Sequence, residues 1–279
     1  MQATISRKPG NRTYSYRKFP ASRIATADVY SAGVLRHHVN ALLEIDVTDS
    51  RLKIRELKRS GKHVSFTGWI IYEISRSIAA FPETAAYLAG KRRLMLFHDV
   101  NISTMVEKEV EGMKVPIALT IEKANVKGVQ DITSELVQAQ KRDFSKKDLV
   151  LHRSSTMYER LYVRMPGMLR RLVWRYLTGH PRLAFQKMGN VIVTSLSMAG
   201  RINGWFIHKT VHPISFGIGS VIRKPVVVND EIKAREVLNM TILMDHDVID
   251  GAPMVRFVNE LVRRIETGVG LEHHSDSEQ

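Results

Sequence analysis

The sequence predicts an α/β protein with one mixed sheet flanked by helices, and three observations carry that prediction. Apolar runs of strand length recur in the second half, at 190–196, 214–221, 225–228 and 237–246. Segments of helical period stand among and after the strand-like ones, at 65–80, 128–142 and 254–265. Finally, 279 residues that are 44% apolar and 25% charged, with no internal repeat and no low-complexity linker, suit one sizeable domain.

Taken in order, residues 1–25 read as a basic N-terminal arm interrupted by Pro9-Gly10 and Pro20. The domain proper is expected over 26–269, and 270–279 as a polar, disordered tail. Small and apolar residues at helical spacing over 26–38 predict a short helix. Leu43, Ile45 and Val47 alternating with Glu44 and Asp46 predict a half-buried strand. The helix that follows, from Arg51, has Thr48 or Asp49 available as N-cap. The 65–80 segment is apolar on most sides, a largely buried helix that stops at Phe81-Pro82. Val100, Ile102, Met105 and Val106 suggest a strand, with a charged turn over 107–112 and a second strand over 115–121. Pro116 sits near that strand's start, where a missing donor is tolerable. An amphipathic helix on Val129, Ile132, Leu136 and Val137 comes next. The four strands of the second half follow, with Asn229-Asp230 as a turn after the third. A last amphipathic helix carries Phe257, Val258, Leu261 and Val262.

The formal charge of +14 favours anionic partners: nucleic acid, anionic lipid or a phosphate-bearing molecule such as coenzyme A. Much of it lies in a basic helical segment, 150–187. There Arg160, Arg164, Arg170, Arg171, Arg175, Arg182 and Lys187 interleave with apolar residues, and 160–187 contains no acid. Pro166-Gly167 and Gly179-His180-Pro181 bracket a helix in it. That helix reads as a solvated element packing one face on the core, as a cradle for coenzyme A phosphates, or as a cationic helix on a membrane surface. Nucleic acid is disfavoured, because aromatics make up 7% of the chain and no recognised motif accompanies the charge. No cysteine is present, which excludes disulfides, thiolate metal sites and cysteine nucleophiles and fits a cytoplasmic location. His37-His38 and His273-His274 are adjacent pairs whose side chains point apart, so no metal site is predicted. No apolar run approaches the roughly 18 residues of a membrane span, and the basic N-terminus lacks the apolar core of a secretory signal.

One histidine stands where chemistry is expected. The strand ending in Asp245-His246 is followed by Asp247-Val248-Ile249-Asp250-Gly251 and then a helix, which puts His246 at a loop edge on a rigid scaffold. Histidine is the natural general base near neutral pH, although a lone strand-end histidine is more often structural. Its ordered company is more specific. Residues 191–196, Phe216-Gly217-Ile218-Gly219, Lys224-Pro225-Val226-Val227-Val228 and Met244-Asp245-His246-Asp247-Val248-Ile249-Asp250-Gly251-Ala252 together resemble the catalytic core of the dihydrolipoyl acyltransferases of 2-oxo-acid dehydrogenase complexes. That fold is shared with chloramphenicol acetyltransferase, and the resemblance runs over about residues 35 to 265.

The resemblance implies a chloramphenicol acetyltransferase-like mixed sheet and a coenzyme A-dependent acyl transfer. His246 would take the proton of a thiol, and Thr194, or its neighbour Ser195, would donate to the oxyanion. Asp250 would be an architectural carboxylate ion-paired to Arg17 or Arg23, and Gly251 would permit the tight turn after it. It further implies a homotrimer, or a larger cage of trimers, with each site between subunits. Acyl-coenzyme A would be substrate, and a separate lipoyl carrier protein is a candidate partner. The chain departs from the family pattern at Asp247, where arginine is usual, and at Leu243, where serine is usual. A carboxylate beside the base is expected to raise the histidine pKa and alter which acceptor approaches. No lipoyl attachment site is expected in this chain, which in this respect resembles free-standing relatives with the Asp-His-Asp-Val-x-Asp-Gly-Ala-Pro variant. The alternative reading is a non-catalytic trimeric scaffold, or an anionic-surface binding protein, that keeps the fold.

Overall fold

A computed structural model describes residues 14, 16–17, 19, 22–90, 92–110, 113–141, 161–195, 200 and 202–272. Most of the basic arm, residues 142–160, Leu196 and the tail from 273 lie outside the described residues. The first described helix, α1 (Ser22–Gly33), leads into β1 (His38–Asp46), α2 (Thr48–Arg59) and α3 (Phe66–Ala80). A short hairpin of β2 (Tyr87–Ala89) and β3 (Arg93–Met95) precedes β4 (Ile102–Val110), β5 (Met113–Ile121) and α4 (Val129–Lys141). Helices α5 (Gly167–Gly179) and α6 (Pro181–Met188) then lead to β6 (Val191–Ser195), β7 (Ile214–Val228), β8 (Glu231–Asp245) and α7 (Gly251–Thr267).

Six strands form one mixed sheet in the order β1-β8-β7-β6-β4-β5. The β6 strand runs parallel to both its neighbours, and the other pairs are antiparallel. Helices α2, α3, α4 and α7 cover one face. Their Ile54, Trp69, Ile74, Ile132, Phe257 and Leu261 pack on Val193, Phe216, Met240 and Ile242 of the sheet. Helix α3 is buried on most sides because only three polar side chains, Glu73, Ser75 and Ser77, interrupt its buried set. It opens where Ser65 accepts the Gly68 N–H at 3.0 Å, and it ends before Pro82.

The first seven residues of β7 are buried throughout, since the segment after residue 202 covers the sheet's other face. Trp205 Nε1 donates to Leu43 O at 2.9 Å, the Ile202 N–H to Ser220 Oγ at 3.0 Å, and His208 pairs with Ser215. Close approach of the neighbouring strand explains Gly219: a Cβ there would lie 2.6 Å from Asn239 O, at the register shift between Ile218 and Val221.

Several expectations change. The first helix begins at Ser22 and ends at Gly33, so it reaches into the expected arm and stops short of His38. Neither Thr48 nor Asp49 caps α2. Thr48 is inside the helix, where its hydroxyl donates to Asp46 and accepts the Glu236 N–H. The charged turn at 107–112 is mostly strand, because Glu107 to Val110 continue to pair with β5. The two strands expected at 214–221 and 225–228 are one. Pro225 is tolerated inside it because, among the described residues, β6 pairs with β7 only as far as Ile218, leaving no ladder on that side to break. Asn229-Asp230 does form the hairpin turn, both residues taking positive φ (52° and 61°). Residues 270–272 are not a free tail: Leu271 is buried in the core.

Candidate active site

β8 delivers His246 to one end of the sheet. The strand ends at Asp245, whose N–H donates to Pro213 O at 2.9 Å, and the His246 N–H donates to His37 O at 3.0 Å. The loop is therefore tied on both sides while His246 itself is exposed. Beneath it, the fully buried Asp245 carboxylate receives Arg36 Nη1 at 2.9 Å and the Asp247 N–H at 3.2 Å. Arg36 comes from the turn between α1 and β1, and the β1–β8 register sets His38 opposite Asp245.

The ion pair at this end of the sheet is that of Asp245 with Arg36. Asp250 is exposed at the N-terminus of α7, where the helix dipole favours a carboxylate. Arg17 and Arg23 are also exposed, and among the described residues neither pairs with Asp250. Gly251 is the first residue of α7 with no positive φ, so a tight turn does not require glycine there.

Asp247 reaches across to His37 in the turn before β1. Its carboxylate oxygens lie 2.9 and 3.1 Å from His37 Nδ1, and this hydrogen bond, with the carboxylate's charge, raises the His37 pKa. Further histidines line the same end of the sheet. His38 Nε2 bonds to His212 O, and His212 bonds through Nε2 to Met188 O and through Nδ1 to Thr210 Oγ1. Burial lowers the pKa of His38 and takes that of His212 down to about 4. Sequence reasoning weighed His37-His38 only as a metal pair and missed Arg36, His208 and His212. The available signal was the run Arg36-His37-His38 directly before a strand. Among the described residues no group of three or more histidines and carboxylates could hold a metal ion.

Thr194 is half-buried in β6, in a row with Gly217 of β7 and Thr241 of β8. Alternation puts this row on the face away from the helices, since the adjacent row, Val193, Phe216 and Ile242, is core. A Cβ at Gly217 would lie 3.6 Å from the His208 ring, so that imidazole neighbours the Thr194 row. Burial lowers the His208 pKa. Ser195 pairs with Ile218 and points to the opposite face from Thr194.

Thr194 and His246 do not meet within one chain. His246 lies five residues beyond Thr241 along β8, about 17 Å at ~3.3 Å per residue. Thr194 is a further two strands across, about 10 Å more.

A family model described as the 2-oxoacid dehydrogenases acyltransferase (catalytic domain) matches residues 31–150 and 170–271. The lipoamide acyltransferase component of the branched-chain alpha-keto acid dehydrogenase complex of Bacillus subtilis is 21% identical over 237 residues, covering 82% of this chain and 47% of that protein. The dihydrolipoyllysine-residue acetyltransferase component of the pyruvate dehydrogenase complex of Mycoplasma genitalium is 23% identical over 216 residues, 77% of this chain and 47% of that protein. The chain therefore spans about half the length of the curated relatives it matches. Among solved structures, a probable dihydrolipoamide acetyltransferase from Listeria monocytogenes aligns with a TM-score of 0.65 at 17% identity, over 92% of this chain and 96% of that one. The cubic core of the pyruvate dehydrogenase multienzyme complex aligns with a TM-score of 0.64 at 15% identity, over 96% and 99%.

Proposed function

The chain belongs to the family of 2-oxoacid dehydrogenase acyltransferase catalytic domains, and on that premise we propose that it moves an acyl group between a coenzyme A thioester and a thiol or other acceptor. His246 removes the proton of the attacking thiol, and the thiolate adds to the thioester carbonyl. The Thr194 hydroxyl donates to the oxyanion of the tetrahedral intermediate. Collapse breaks the original C–S bond, and the His246 imidazolium returns its proton to the departing thiolate. The observation that carries this reading is the exposed His246 at the end of β8, on a loop pinned by the pairing of Arg36 with the buried Asp245.

The separation of His246 from Thr194 supports a site shared between copies, the base from one chain and the donor from the next. Such head-to-tail contacts close into a ring, and a homotrimer is the arrangement we favour. Thr194 is preferred to Ser195 because it shares its face with Gly217 and Thr241. A separate lipoyl carrier protein is one source of the acyl group, and acyl-coenzyme A with another acceptor is the other.

Thiol release from a panel of acyl-coenzyme A donors tests the reading. His246→Ala is expected to abolish turnover, and Thr194→Ala to lower kcat by roughly 100- to 1,000-fold. Equal turnover in wild type and His246→Ala would sink it.

A further inference from the structure

We propose that the outer face of α5 docks on an anionic lipid bilayer, lying on the surface and not crossing it. No helix among the described residues is long and apolar enough to cross one. At about 100° per residue, α5 divides into two sides. The inner side is fixed against α1: Arg170 Nε and Tyr162 Oη each donate to Asp28 Oδ2 at 2.7 Å, and Trp174 Nε1 donates to Tyr162 Oη at 2.9 Å. That triangle leaves α5 one orientation. It turns Met168, Leu169, Leu172, Val173 and Tyr176 outward, each between 44% and 69% exposed.

Not one residue of this helix is buried. A contiguous outward patch of that composition marks an interaction surface, whereas scattered apolar residues would not. Charge selects the partner. Arg171 and Arg175 stand exposed along one edge of the patch and Arg164 just before it, and 161–187 holds no acidic residue. An apolar face edged by arginines that meet no carboxylate among the described residues is the pattern of a helix that seats its apolar side among acyl chains and its cations among anionic headgroups. A second copy packed symmetrically on this face would set the same arginines against one another. The inference does not rest on the acyl-transfer reading, because vesicle binding needs no turnover.

Co-sedimentation of the full chain with vesicles of phosphatidylcholine alone, or with phosphatidylglycerol added, tests it. Binding is expected only to the anionic vesicles and is released by high salt. The Arg171→Gln/Arg175→Gln variant is expected to bind about 25-fold more weakly, roughly fivefold per charge. Leu169→Asn/Leu172→Asn is expected to abolish binding with an unchanged circular dichroism spectrum, since both side chains are exposed. No binding, equal binding to both vesicle types, or binding indifferent to both variants would overturn the proposal. So would vesicles left unbound while Leu169→Asn/Leu172→Asn lowers the mass of the assembly in light scattering, which would make the face a subunit contact.

Discussion

At Asp245 a carboxylate is withdrawn entirely from water, and the Arg36 guanidinium at 2.9 Å compensates it. Removing one member of such a pair strands the other, so Asp245→Asn is expected to cost about 3 kcal/mol in urea denaturation. It should also loosen the loop that carries His246. His37 offers a second check. Its bond to Asp247 favours the protonated imidazole, so NMR titration should find its pKa above the ordinary histidine value and returned toward it in Asp247→Asn. These residues also mark where sequence reading stops. The strand, the histidine and the helix after it were legible because they are local, an apolar run ending at a loop. Arg36 was not, because the residue it serves is 209 positions away and only the β1–β8 register brings them together. Arg17 and Arg23 were candidates for Asp250 through the family resemblance, and among the described residues neither pairs with it.

Between elements, the junction of α3 and α7 carries a pH dependence. Glu73 of α3 is buried and accepts Arg264 Nε of α7 at 2.7 Å. Burial nevertheless outweighs the arginine, and its pKa rises to about 7. The folded state then holds a proton that the unfolded chain releases near 4.5. The contribution is complete below that value and disappears as pH rises through about 7. The histidines whose pKa values desolvation lowers tilt stability the opposite way over part of this window. The measurement is therefore the difference between wild type and Glu73→Gln in denaturation midpoints across pH 4.5 to 7. Wild type should lose ground to the variant as pH rises. Helices were read well from sequence because their apolar stripes are long. Strand limits were read less well: Pro225 looks like a break unless one knows that, among the described residues, β6 pairs with β7 only as far as Ile218.

For the whole molecule, the proposed shared site makes a quantitative demand. Let His246→Ala and Thr194→Ala chains be unfolded together in equal amounts and refolded into mixed assemblies. A competent site needs the histidine of one variant beside the threonine of the other, which random mixing supplies at about one half times one half of the interfaces. About a quarter of wild-type activity should return from two inactive parents, whereas a site contained in one chain would return none. The same long reach of β1 to β8 has a consequence for biosynthesis. On the ribosome, Arg36 emerges 209 residues before Asp245, a wait of about 10 to 40 s at ordinary elongation rates. Through that interval β1 has no strand to pair with, and the apolar residues it will bury stay open to solvent. The nascent chain should therefore be a client of holding chaperones until β8 leaves the exit tunnel, and a transcript cut before that strand should yield protein that is degraded, not a smaller folded core.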